Sequence, residues 1–230
     1  MNLLLSGSNY WGVVATLFSY WIALKISQKW KHTLCNPLLI SSCIMIFLLF
    51  FFKVDYRTYE SSNKYLNYLL TPATVCLAIP MYNQLTILKK HLAAIFISIL
   101  SGCLACSCYI FIFCKLFRLP ETLFAALIPK SVTTAIALGI SAELNGNTSI
   151  TAVMVVITGL FGAIIAQGLL KFLRIFNPIA QGLAIGNSSH VVGTSKALEM
   201  GELQGAISSL SIAVAGILTV VLSPCIMRLY

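Results

Sequence analysis

The sequence predicts an all-α integral membrane protein of about six to eight transmembrane segments, with two broken or re-entrant helices in a repeated C-terminal unit. Three observations carry this. Of 230 residues, 59% are hydrophobic and only 9% charged, with a mean hydropathy of +0.92, whereas soluble domains hold about 25% charged residues. Several apolar runs approach the ~20 residues a helix needs to cross a bilayer. Two polar interruptions then stand inside such runs: Leu127-Ile128-Pro129-Lys130-Ser131-Val132-Thr133-Thr134 and Gly186-Asn187-Ser188-Ser189-His190-Val191-Val192-Gly193-Thr194-Ser195-Lys196. In hydrocarbon a broken helix is tolerated only where protein buries it or it lines a cavity.

A single membrane domain over 1–230 is expected, with spans in 10–118 followed by units 119–176 and 177–230. Tyr10 to Ile26 reads as a first span, and Met1 to Gly12 lacks the basic region and cleavage site of a signal peptide. Asn36-Pro37 is a helix-start signal for a short second span, Leu38 to Phe52. Lys53 to Asn67 mixes charges with tyrosines, as an interfacial segment does. Tyr68 to Leu88 carries Thr71-Pro72 and Pro80 and ends at Asn83 and Gln84, so it reads either as a bent transport helix or as an ordinary kinked one. Leu92 to Phe113 is an uninterrupted fourth span.

From Leu119-Pro120 the pattern repeats. Pro120 and Pro178 open runs of helix formers, Ser131 and Ser189 fall at the same offset, and the polar stretches Glu143 to Asn147 and Glu199 to Gln204 precede glycine-bearing spans Ile150 to Leu170 and Ala206 to Met227. Transporters bind substrate between such repeats, at half-helix ends. Re-entrant breaks would make the units inverted and full crossings would make them parallel; the residues do not choose.

The net charge of +9 does not indicate nucleic acid, because Lys25, Lys29, Lys31, Lys89, Lys90, Lys115, Arg118, Lys171 and Arg174 sit at span ends, where lipid headgroups take them. Lys and Arg divide evenly between alternate loops, so orientation is open. The eight cysteines show no paired C-x-x-C spacing, and Cys103, Cys106, Cys108 and Cys114 lie in one apolar helix as small hydrophobes. No phosphate-binding glycine loop, hydrolytic triad or metal motif is present, so neither an enzyme nor a cofactor is expected. Gly12, Gly102, Gly159 and Gly162 read as helix contacts, and Ser208, Ser209 and Ser211 as interhelical hydrogen bonders.

Lys130 leads the candidate site. With Ser131, Thr133 and Thr134 it suits a carboxylate; alternatively it snorkels to an interface or pairs with a buried acid. His190, with Ser188, Ser189, Thr194 and Ser195, either donates to a hydroxy acid or carries a proton, or is a packed helix breaker. Asn83 and Gln84 are candidate path-lining residues, and Lys196, Glu199 and Glu202 read as interfacial.

The P-K-S-V-T-T run at 129–134, Gly182-Leu183-Ala184-Ile185-Gly186 with Ser189-His190 and Gly193-Thr194, and Asn36-Pro37-Leu38-Leu39 together resemble the LrgB/CidB family over about Tyr10 to Leu222. One departure is Ala135 and Ala137 after the Thr-Thr pair, where some relatives carry Pro-Ile-Ala, a difference that bears on how sharply the segment breaks. The resemblance implies two functions. One is a carrier of small monocarboxylates (glycolate, glycerate, lactate or pyruvate), as in the related plastid glycolate/glycerate translocator. The other is an antiholin-like or holin-like regulator of murein hydrolases and autolysis, acting with a small LrgA/CidA-type membrane partner or as a homo-oligomer. The compact length without a transit peptide points to a bacterial cytoplasmic membrane.

Overall fold

The computed structural model describes residues 10–29, 37–76 and 78–230, and every element among them is helical. The Asn36 start signal and Lys31 lie outside the described residues, as does most of the Met1 to Gly12 stretch. The chain divides into two compact units, to either side of Cys76.

In the N-terminal unit, α1 (Trp11–Lys29) packs on α2 (Pro37–Phe51), and α3 (Tyr56–Ser62) is followed by α4 (Lys64–Cys76). The polar segment expected at an interface is α3. Its Tyr59 hydroxyl lies 2.8 Å from Thr16 Oγ1 of α1, and Tyr10 stacks on Tyr65 at 5.1 Å. Pro72 sits inside α4 without ending it.

The C-terminal unit opens with two short helices, α5 (Ala78–Asn83) and α6 (Leu85–Lys90), before α7 (Leu92–Leu116). Within the apolar stretch from Tyr68 to Leu88, the helix is interrupted at Gln84, which separates α5 from α6. Among the described residues three helices are long and apolar enough to cross a membrane: α7, α10 (Thr148–Phe172) and α12 (Glu202–Met227).

Between the long helices the chain folds into hairpins. The first joins α8 (Glu121–Leu127) to α9 (Thr134–Glu143). Pro129 has no N–H to continue the helix, and three-residue turn bonds, Lys130 N to Leu127 O and Val132 N to Pro129 O, close the tip. Both arms reach the first turns of α10: Thr151 Oγ1 lies 3.1 Å from Ala126 O on one arm and 2.7 Å from Ser141 Oγ on the other. Farther along, Val132 and Ala137 pack on Val155. The Asn147 side chain caps α10, accepting from Ser149 N and Ile150 N.

The second hairpin is α11 (Pro178–Met200), entered through an Asn177 cap with proline in its first turn. Its backbone is non-helical at His190, φ 41° and ψ −139°. Residue pairings with α12 show a full reversal there. Ahead of His190, Gln204 Nε2 donates to Gln181 Oε1 at 3.2 Å, and a Cβ on Gly186 would lie 2.5 Å from Ser208 O; these two contacts run parallel to α12. After His190, Thr194 Oγ1 is 2.6 Å from that same Ser208. The second arm thus runs antiparallel to α12, to which it is joined through Gly201 alone. The polar stretch Glu199 to Gln204 is helical on both sides of this one-residue link.

The hairpins come from opposite ends. Phe124 and Ile128 of the first cluster with Ile226 and Met227 at the close of α12. Ile185 of the second clusters with Ala166 and Leu170 near the close of α10, and Gln181 Nε2 donates to Ile175 O at 2.9 Å. Accordingly α10 and α12 are antiparallel, each carrying a hairpin on its first half. Helix α7 flanks them, packing Ile95, Ile99 and Cys103 against Ile207 and Ala215.

The absent Cβ at Gly186 tests this register. Gly186→Ala should destabilise the protein by about 1–3 kcal/mol, because the added carbon meets backbone rather than a side chain that can swing away. Gly139→Ala and Gly168→Ala, where a Cβ meets nothing within 4 Å, should be neutral or stabilise by up to ~1 kcal/mol. Thermal unfolding in detergent compares the three.

Candidate functional site

A cavity of about 700 Å³ lies where the hairpin tips approach each other. Lys130 and Ser131 from the first tip, and Asn187, Ser188 and Ser189 from the end of the first arm of α11, line one region of it. Ser98, Gly102 and Cys106 of α7 and Thr158 and Gly162 of α10 complete that region. Small residues let these groups in. A Cβ on Gly102 would collide with Asn187 Nδ2, and one on Gly162 with Ser189 Oγ.

Lys130 is half-buried. Among the described residues the one ion pair is Lys196 Nζ to Glu199 Oε2, 2.7 Å, and no acidic side chain lines the cavity. Its positive charge therefore has no carboxylate partner among the described residues. The nearest polar tie at that tip is Cys106 Sγ to Ser131 Oγ, 3.7 Å.

The remaining candidates are placed elsewhere. Thr133 is half-buried at the N-cap of α9, without a side-chain cap bond, and Thr134 is exposed. His190 is 4% exposed and seated behind the cavity wall. Its Nε2 lies 3.0 Å from Val155 O, an approach left open by Gly159, where a Cβ would meet the imidazole Cε1 at 2.5 Å. Such burial and bonding are what the packed-helix-breaker reading expects. Thr194 is fully buried in its bond to Ser208, and the exposed Ser195 returns a bond to Val191 O, 3.3 Å. Neither Asn83 nor Gln84 lines the cavity. Ser208 is an interhelical hydrogen bonder, whereas Ser209 and Ser211 bond back to carbonyls of their own helix.

Asn187 was not singled out from the sequence, yet it lines the cavity beside Lys130. Its amide ties the second tip to α7: Nδ2 donates to Ile99 O at 3.4 Å and Oδ1 accepts from Cys103 Sγ at 3.3 Å. The repeat spacing of Pro120 to Pro178 and Ser131 to Ser189, 58 positions, pairs Lys130 with Ser188; only the bounds of the hairpins, 121–143 and 178–200, offset by 57, pair it with Asn187.

Among the described residues no group of three His, Cys, Asp or Glu side chains is placed to hold a metal ion.

The buried hydroxyl pair of the second hairpin makes a measurable prediction. A double-mutant cycle of Thr194→Val and Ser208→Ala should give a coupling energy of about 1 kcal/mol, read from unfolding in detergent; a coupling near zero would mean that this pair does not hold the arm to α12.

Comparison with known proteins gives a consistent picture. A sequence profile described as the LrgB-like family matches residues 16–229. The chain is similar to the holin-like protein CidB of Staphylococcus aureus, 34% identical over 218 residues, covering 95% of each chain. The Staphylococcus epidermidis protein of the same name gives the same figures. The uncharacterized protein YxaC of Bacillus subtilis is 35% identical, again over 95% of each chain. No solved structure matches.

Proposed function

The chain belongs to the LrgB-like family, and from that premise we propose that this membrane protein is a secondary carrier of small monocarboxylates of the glycolate, glycerate, lactate or pyruvate class. One observation carries the reading: two hairpin tips from opposite ends meet at a cavity whose Lys130 has no acidic partner among the described residues. In this reading α10 and α12 cross the bilayer, and each hairpin is re-entrant, leaving on the side it entered. A substrate carboxylate takes a charge-assisted hydrogen bond from Lys130 Nζ and a further one from Ser131. Ser188 and Ser189 hold the substrate's other oxygen from the opposite tip. Thr133, Thr134, His190, Thr194 and Ser195 support the tips, and the two hairpins open in turn, one toward each side of a bacterial cytoplasmic membrane.

The staphylococcal relatives are called holin-like, which fits a second reading, a holin-like or antiholin-like regulator of murein hydrolases working with an LrgA/CidA-type partner or as a homo-oligomer. A regulator that works by assembly has no need of a half-buried lysine, without a carboxylate partner among the described residues, between two hairpin tips.

Uptake of labelled glycolate, glycerate and pyruvate into liposomes holding the purified protein separates the two. Saturable uptake is expected, reduced at least a hundredfold in Lys130→Ala, whose folding is checked by its unaltered thermal transition. His190→Ala should instead lower stability, since it removes a buried ring and its bond to Val155. Absence of uptake by folded, inserted protein would leave the regulator reading.

A further inference from the structure

The cavity is larger than a three-carbon acid needs, and its chemistry is uneven. At about 700 Å³ it lies in the range that encloses drug-sized ligands. Its polar groups gather at the hairpin tips. Away from them it continues between α10 and the first arm of α11 as a trench walled by Phe161, Ile165, Leu169 and Leu183. The room comes from alanines: Ala184 and Ala180 stand about one and two helical turns before Asn187 on the same face of α11, with Ala166 of α10 also in the lining. From Asn187 back to Ala180 is seven residues, about 10 Å of helix at 1.5 Å each. Carbon–carbon bonds of ~1.5 Å at near-tetrahedral angles advance about 1.25 Å per methylene, so the trench takes roughly eight methylenes.

We propose that the trench is a tail subsite, so that the ligands this site takes include monocarboxylates with an unbranched apolar chain of up to about eight carbons. Lys130 holds the head, and the tail lies along Ala184 and Ala180 toward Leu169. Charge complementarity selects this occupant over a neutral acyl chain or an apolar partner helix, neither of which has a group for the one unpaired cation at the trench's end. The inference rests on the carboxylate reading above.

The test is binding of radiolabelled acetate, butyrate, hexanoate and octanoate to the full chain in nanodiscs, with empty nanodiscs subtracted. Each buried methylene should tighten binding two- to fourfold, so octanoate should bind on the order of a hundredfold more tightly than butyrate. Ala184→Phe, and Ala180→Phe as a second filling variant, should flatten the series while acetate binding persists. Lys130→Ala should abolish binding at every length. Acetate binding with no gain along the series would overturn the tail subsite and leave the carboxylate site standing. A gain that survives Lys130→Ala would also overturn it, by revealing lipid-like occupation without head-group recognition. If no acid binds at all, the carboxylate reading fails and the subsite with it.

Discussion

The contact between His190 and the carbonyl of Val155 is the interaction on which this arrangement turns. A helix that stops short leaves backbone groups without partners, and in hydrocarbon each would cost several kcal/mol. The first hairpin closes its tip with turn bonds and presses Val132 and Ala137 onto Val155. The second places His190 at positive φ, a conformation that costs a non-glycine residue of order 1–3 kcal/mol, and its ring reaches the same residue of α10. Gly159 makes that approach possible: a side chain one turn along the helix would occupy the space of the imidazole. One residue of α10 thus fixes both tips, and the cavity between them follows.

Much of this was legible. Proline at 129 and the polar clusters around 130 and 189 marked both breaks, because such atoms are tolerated in an apolar run only where protein covers them. The spacing of Pro120 to Pro178 and of Ser131 to Ser189 marked the repeat. The path of each break was hidden, since a kinked crossing and a hairpin share one composition. What separates them is which residues of α12 meet Gly186 and Thr194, and both meet Ser208. Tertiary pairing of this kind leaves no trace in periodicity.

The hydroxyls were the least legible feature. Ser188, Ser189 and Thr194 look equivalent in sequence, but the reversal at His190 sends them to different tasks. The two serines line the cavity, while Thr194 clasps its arm to α12. In the first hairpin Thr151 does the clasping from the long helix itself, bridging Ala126 and Ser141. Thr151 is the fourth residue of α10 and Ser208 the seventh of α12, so each long helix supplies a clasping hydroxyl near its start, though at different positions.

The cavity departs from the repeat in a way electrostatics explains. The two tips present Lys130 and Asn187 to the cavity, a cation and a neutral amide. A second lysine there would set two like charges around one cavity, each repelling the other. Asparagine avoids that and does what lysine cannot, donating to Ile99 O while accepting from Cys103 Sγ. Backbone symmetry brings two equivalent tips together. Their side chains then divide the work, one tip fastened to α7 through its amide and the other presenting the charge.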